Sequence, residues 1–250
     1  KHVRLLAEKI ETEEEFQQAL DFGYVLFQGY FFCKPAVLHQ KRLTSNALSK
    51  IRLLREINRQ NVDFSSITGV ISSDTNLVHK LLTYINSAGV GLNNHVSNLK
   101  QATVLLGASG IRRWVTLISL QTFSEDKPPE LFTLSLLRAK FCELIACDLK
   151  RPGLTSDTAF LLGMFSLLDV LLSLPMDDVL KEVSLSDELS DALRGKDNDL
   201  RRLLDLVVAY EKGDWEKVIT CCTRENLEPD HLQPTYDKVL VWYNALQSIS

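Results

Sequence analysis

The sequence predicts a mainly α fold: a helical bundle over most of the chain, preceded by a short strand–helix–strand (βαβ) unit. Three observations carry this. From residue 41 onward, apolar residues recur at spacings of three and four, in segments bounded by Gly, Pro, Asn, Asp or Ser. The run 159–174 is apolar on every side but broken by Ser166, Asp169 and Ser173, which marks a buried helix rather than a membrane span. Residues 1–36 instead alternate short apolar stretches with one acidic helical segment, the order of a parallel α/β unit.

Composition narrows the class. At 250 residues the chain can hold one large domain or two, and the change in pattern divides it into 1–40 and 41–250. It is 45% hydrophobic and 24% charged, as a soluble globular protein is. A net charge of −4 and a pI of about 5.8 argue against nucleic acid or an anionic membrane as partner. Five cysteines without a CxxC fit a reducing, cytoplasmic location better than a disulfide framework. The chain starts at Lys rather than Met, so a piece of a longer protein is expected.

In chain order, Val3, Leu5 and Leu6 form the first strand candidate. The acidic segment 11–21 reads as a helix, starting from Thr12 as cap, that turns Phe16, Ala19 and Leu20 inward; Gly23 ends it, and 24–27 is the second strand. Leu43, Ala47, Ile51, Leu54 and Ile57 face inward on a long helix whose other face is basic (Lys41, Arg42, Lys50, Arg52, Arg55) and reads as solvated. Asp63 or Ser65 caps a short helix at 67–71. Asp74 or Thr75 then caps a helix carrying Leu77, Leu81, Leu82 and Ile85, with Gly89 past its end. After a loop holding Gly91, Asn93 and Asn94, Ser97 caps a helix with Leu99, Ala102, Val104, Leu105 and Leu106, apolar enough to be buried on most sides.

The segment 110–123 is a further buried helix with Arg112 and Arg113 at its exposed start. The Pro-containing stretch 125–130 is a loop. Residues 131–149 make a long helix with Leu134, Leu137, Phe141, Leu144 and Ile145 inward, closed by Pro152-Gly153. Ser156 or Asp157 caps the apolar 159–174 helix. Four more helices follow at 184–193, 198–211, 215–224 and 236–249.

The stretch 74–107, with Leu81, Leu82, Ile85, Asn86, Ser87 and Ala88 before a loop and Ala102, Leu106 and Gly107 after it, resembles the HDOD family, the HD-related output domain of bacterial signalling proteins. The AYEKGDW string at 209–215 is similar to a helix–Gly-Asp-Trp–helix corner of that family, so the resemblance runs from about Leu43 to Ile249. It implies a helical HDOD bundle acting as a regulatory output module. Two early segments, AEKIET (7–12) and QGYFFCKP (28–35), resemble the C-terminal end of an EAL domain, the (β/α)8 barrel that hydrolyses cyclic di-GMP. In an intact barrel that resemblance would put Glu8, Glu11, Gln28 and Lys34 at a cyclic dinucleotide site. Here Lys9 replaces the family's Gly, two strands cannot close a barrel, and Glu11 reads first as a solvated charge at a helix N-terminus.

HDOD domains resemble HD phosphohydrolases, whose His and Asp ligands hold a metal that activates water. The corresponding positions fall at Leu134 and Ser135 and at Ser166 and Leu167, and no histidine lies between 96 and 230, so the HD metal site is expected to be absent. His79, His95, His39 and His231 are isolated, Cys142 and Cys147 read as small core residues, and no G-x-S-x-G or phosphate loop occurs.

The expectation is therefore a non-enzymatic signalling module, without cofactor, that binds a protein partner or itself. Its rival is the C-terminal part of a cyclic di-GMP phosphodiesterase regulated by the helical domain. A homodimer is expected through the open strand edge and the aromatic Phe27, Tyr30, Phe31 and Phe32.

Overall fold

The structure, a computed structural model, describes residues 5–10, 12–27, 45–59, 64–87, 90 and 95–247. Glu11, Gln28, Tyr30, Phe31, Phe32, Lys34, Lys41, Arg42, Leu43, Asp63, Ala88, Gly89 and the Gly91–Asn94 loop positions lie outside the described residues.

The N-terminal unit forms as its sequence requires. Strands β1 (Leu6–Ala7) and β2 (Leu26–Phe27) pair in parallel, Leu6 opposite Leu26 and Ala7 opposite Phe27, around α1 (Glu13–Asp21). Thr12 caps α1 in a capping box: its hydroxyl accepts from the Glu15 N–H, and the Glu15 carboxylate accepts from the Thr12 N–H, both at 3.2 Å. Ala7, Ile10 and Ala19 make a small separate core, sealed by Phe16 against Phe27 edge to face at 4.9 Å. Phe27 is thus partly covered, whereas Leu20, expected inward, is exposed.

The main core is built almost wholly from helices, with Val96 and Leu154 added from the connections. Helix α2 (Ser45–Asn58) buries Ala47, Ile51, Leu54 and Ile57 as the spacing predicts. On its expected basic face Arg52 is exposed, whereas Arg55 donates to the Glu182 carbonyl at 2.8 Å and pairs with the Glu182 carboxylate. Helix α3 (Phe64–Ser72) contributes Ile67 and Ile71, and α4 (Thr75–Ile85), capped by Asp74, contributes Leu77, Leu81 and Ile85.

Helix α5 (Leu99–Phe123) is capped by Asn98, not Ser97, and is broken in its middle by Gly107 at φ 59°, ψ −170°. That backbone region is essentially closed to residues with a Cβ, which explains the Leu-Gly ending read from the sequence. The half before Gly107 departs from expectation: Ala102 is buried, but Val104 is 75% and Leu105 52% exposed. Its apolar composition reflects a surface helix with one buried side. The half after Gly107 carries Ile111, Trp114, Val115, Ile118 and Leu120 into the centre.

Helix α6 (Pro129–Leu149) lies under α7 (Ser156–Phe165) on one side and against later helices on the other. Burial on two sides explains why Leu131, Leu136, Ala139, Phe141, Cys142 and Ile145 are fully covered, while Leu134, Leu137 and Leu144 are only partly so. Gly163 of α7 sits so close to Ala139 that a Cβ there would lie 2.4 Å from the Ala139 backbone. The expected single helix over 159–174 is two, α7 and α8 (Leu168–Leu172), and Thr155 rather than Ser156 or Asp157 is the cap. Both are buried nearly all round, as an apolar circumference requires. Among the described residues, no single helix is long and apolar enough to cross a membrane.

Helix α9 (Met176–Val183), too short to stand out by periodicity, follows Pro175 and packs on α2 through a face with Val179, Leu180 and Val183 buried. The chain closes with α10 (Asp187–Leu193), α11 (Asp199–Glu211), α12 (Trp215–Glu225), a 3-10 turn (Pro229–His231) and α13 (Leu232–Gln247). At the Gly-Asp-Trp corner Gly213 takes φ 67° and Asp214 caps α12. Cys147, read as a core residue, is exposed.

Candidate functional site

The most ordered polar feature of the family-like stretch is the end of α4. The Asn86 carboxamide donates to the Leu82 carbonyl at 2.8 Å and the Val96 carbonyl at 2.9 Å, and accepts from the Val96 N–H at 2.8 Å. One side chain therefore ties the C-terminus of α4 to the strand-like lead into α5 across ten residues and satisfies three backbone groups. Ser87 beside it is buried, and its hydroxyl has no hydrogen-bond partner. Leu106 packs partly buried against the core, just before the Gly107 break. Asn86, Leu106 and Gly107 thus have structural roles that their residue types explain, whereas nothing in the fold engages the Ser87 hydroxyl.

The positions that resemble the HD metal ligands do not fit a metal. Leu134 is a partly buried apolar side chain, and the buried Ser135 hydroxyl donates back to the Leu131 carbonyl at 2.9 Å. Ser166 closes α7, its hydroxyl donating to the Gly163 carbonyl at 2.7 Å, and Leu167 is buried in the break before α8. The Ser166 oxygen also accepts from the Arg138 guanidinium at 2.9 Å. Arg138, one turn beyond Ser135, pairs with Glu211 through contacts of 2.6, 3.0 and 3.1 Å, and the two side chains are only 5% and 11% exposed. A fixed guanidinium beside this position repels a second cation at short range in a low-dielectric interior. Among the described residues no group of three His, Cys, Asp or Glu side chains is placed to hold a metal.

The surroundings follow from burial. Desolvation raises the Asp169 carboxyl above its ordinary value, partly offset by backbone hydrogen bonds and by Arg138. Burial likewise pushes the Cys142 thiol far up, which leaves it protonated and inert. Arg138 and Glu211 were not singled out from the sequence. The available signal was an arginine inside an apolar helical run and an acid within AYEKGDW.

A second, partly buried network joins α5, α6 and α7. Arg113, expected at an exposed helix start, instead donates to Glu143 at 2.6 Å and to Asp157 at 2.8 Å and lies over the Phe160 ring at 4.6 Å. Lys140 adds a 2.7 Å contact to Glu143. Burial works against the Arg113 charge, but Glu143 and Asp157 outweigh it and hold its pKa above the ordinary value. Arg112 donates to the Ile57 carbonyl at 3.2 Å, so both arginines are engaged internally.

In the N-terminal unit Glu8 is exposed directly after β1, and Lys9 takes φ 57°. That left-handed backbone favours glycine, the residue the EAL resemblance has at this position. The other two candidates, Glu11 and Gln28, lie outside the described residues.

Comparison with known proteins places this geometry in a family. Residues 46–186 match the HDOD domain. A protein of Vibrio cholerae serotype O1 named cyclic di-GMP phosphodiesterase CdgJ is 37% identical over 88% of this chain and 50% of its own length. The uncharacterized protein YuxH of Bacillus subtilis strain 168 is 35% identical over 96% of this chain and 59% of its own. The chain therefore spans between half and three fifths of the curated relatives it matches.

Two solved structures share the fold. A candidate signal transduction protein of Marinobacter aquaeolei VT8 aligns with a TM-score of 0.56 at 14% identity, covering 84% of this chain and 58% of its own. A candidate metal-dependent phosphohydrolase of Shewanella amazonensis SB2B aligns at 0.50 and 16%, covering 82% and 93%. The expectation that the protein is not an enzyme is corrected by these findings, because a relative at 37% identity bears the name of a phosphodiesterase. The missing ligands concern one kind of metal site in one domain, and an activity can reside elsewhere in a protein. With more than half of its residues in the family match, and Asn86 and Gly107 in the roles their chemistry dictates, the chain belongs to the HDOD family.

Proposed function

We propose that the protein carrying this chain hydrolyses cyclic di-GMP, and that its helical domain, residues 41–250, regulates that hydrolysis in bacterial signalling. The observation that carries the reading is the 37% identity to the Vibrio cholerae phosphodiesterase over 88% of the chain. The N-terminal unit supports it. Two parallel strands around a helix are the repeating unit of a (β/α)8 barrel, and the resemblance to the end of an EAL domain supports reading residues 1–40 as the close of such a barrel. Glu8, Glu11 and Gln28 then belong to its strand ends, where barrel active sites lie. The helical domain suits regulation because its family corner and its Arg138–Glu211 pair are packing and positioning features.

The test is turnover of cyclic di-GMP by the protein carrying this chain, followed as release of the linear dinucleotide. Opening of the ring, lost on Glu11→Ala and changed in rate by Asn86→Ala, is the expected result. A protein that leaves cyclic di-GMP intact would overturn the proposal.

A further inference from the structure

A cavity of about 650 Å³ opens between α4, the second half of α5, the start of α6 and α13, away from the Arg138–Glu211 pair. This volume lies within the range of small-molecule sites. Its walls are largely apolar and aromatic, with Tyr84, Trp114, Phe132, Leu136 and Tyr243 among them. Two of the lining residues carry a buried polar group without any hydrogen-bond partner: the Ser87 hydroxyl, on a residue 3% exposed, and the Trp114 indole N–H, on a residue 0% exposed. Among the described residues these are the only buried side-chain polar atoms left unpaired, and both belong to residues that line this one cavity. Buried polar groups in folded proteins are nearly always satisfied, so two orphans on one cavity point to a partner that the chain itself does not supply.

The chemistry of the orphans selects that partner. An indole N–H can only donate, and a serine hydroxyl can donate or accept. No charged side chain is buried in the lining: His79 and Glu125 are exposed and Lys80 is half-buried, so opposite charges stand at the mouth. A buried anion or cation would therefore lack a counter-charge at depth. Thr133 and Tyr243, hydrogen-bonded to each other at 2.8 Å, add a polar edge.

We propose that this cavity binds an uncharged, planar aromatic or heteroaromatic molecule bearing carbonyl or ring-nitrogen acceptors. Its flat faces lie on the apolar walls, and its acceptors take the Trp114 N–H and the Ser87 hydroxyl. Ser87 belongs to the family-like Asn-Ser-Ala corner, and the Asn86 clamp on Val96 holds that corner in place, so binding would be felt at the end of α4. The site does not depend on the cyclic di-GMP reading.

The test uses the whole chain labelled with nitrogen-15, with benzamide and nicotinamide as acceptor probes and toluene as the acceptor-free control. The three tryptophans (Trp114, Trp215, Trp242) give three indole N–H signals, assigned by Trp215→Phe and Trp242→Phe, which leave the cavity floor untouched. A saturable downfield shift of the Trp114 signal with the acceptor probes and not with toluene is expected. Ser87→Ala should weaken the binding severalfold while the chain stays folded, because it removes a group that makes no hydrogen bond. Thr83→Trp, which fills the cavity, should abolish the shift. No saturable shift at Trp114, an equal shift with toluene, or binding unchanged by both substitutions would overturn the proposal.

Discussion

Asn86 and Val96 are joined by two hydrogen bonds, the carboxamide oxygen accepting from the Val96 N–H at 2.8 Å and its nitrogen donating to the Val96 carbonyl at 2.9 Å. This pairing imitates a backbone ladder and lets an irregular segment be covered without orphaned amides. Asn86→Ala leaves both Val96 groups unpaired and should destabilise the protein by about 1–3 kcal/mol. Chemical denaturation measures the loss, and amide exchange should show it concentrated near Val96.

The Arg138–Glu211 pair gives a different expectation. Glu211→Gln or Arg138→Met alone leaves a buried charge without its partner and should cost about 3–5 kcal/mol. Arg138→Met with Glu211→Leu removes both charges and should recover most of that loss. A double-mutant cycle by denaturation checks it, and additive losses would show that the two side chains do not act as a pair.

Gly107 holds φ 59°, ψ −170° with open space around its Cα, so the obstacle to a side chain there is the backbone alone. Gly107→Ala should cost about 1–3 kcal/mol. Gly163 is the opposite case, with an ordinary helical backbone but Ala139 in the way. Gly163→Ala must push α6 and α7 apart and should cost about 1–3 kcal/mol or more. Thermal unfolding measures both, and Ala139→Gly should not rescue Gly163→Ala, since the clash there is with backbone atoms.

Stability should also depend on pH through Asp157. Burial raises its carboxyl, but hydrogen bonds from Ser109 and Arg113 outweigh that and hold its pKa below the ordinary 3.8. The folded state thus favours the ionised form. The contribution is complete above the unfolded value and is lost as pH falls through the lower folded value. Asp157→Asn should be less stable than the parent at neutral pH, with the difference shrinking in acid. Equal pH profiles for the two proteins would contradict this.

Local chemistry was legible wherever the signal was contained in a few neighbouring residues. Thr12 and Asp74 cap as read, the strand–helix–strand order appears as a parallel pair, and Ala47, Ile51, Leu54 and Ile57 line one buried face. Caps shifted by one or two residues elsewhere, Asn98 for Ser97 and Thr155 for Ser156 or Asp157, because neighbouring polar residues compete for the same first-turn N–H groups.

What the sequence by itself determined is the helical class, the break at Gly107 and the family, since each rests on periodicity, a glycine-only backbone or a short motif. What only the tertiary structure decided is which side of each helix is covered and which charges meet. Val104 and Leu105 face solvent although apolar, whereas Arg138 is buried and Arg113 half-buried although charged. Burial depends on what other segments place against a residue, and the partners Glu143, Asp157 and Glu211 lie between 30 and 73 residues away. Side-chain spacing along one helix carries no record of such distant neighbours, so those pairings and the cavity between α4 and α13 emerge only when the chain is folded.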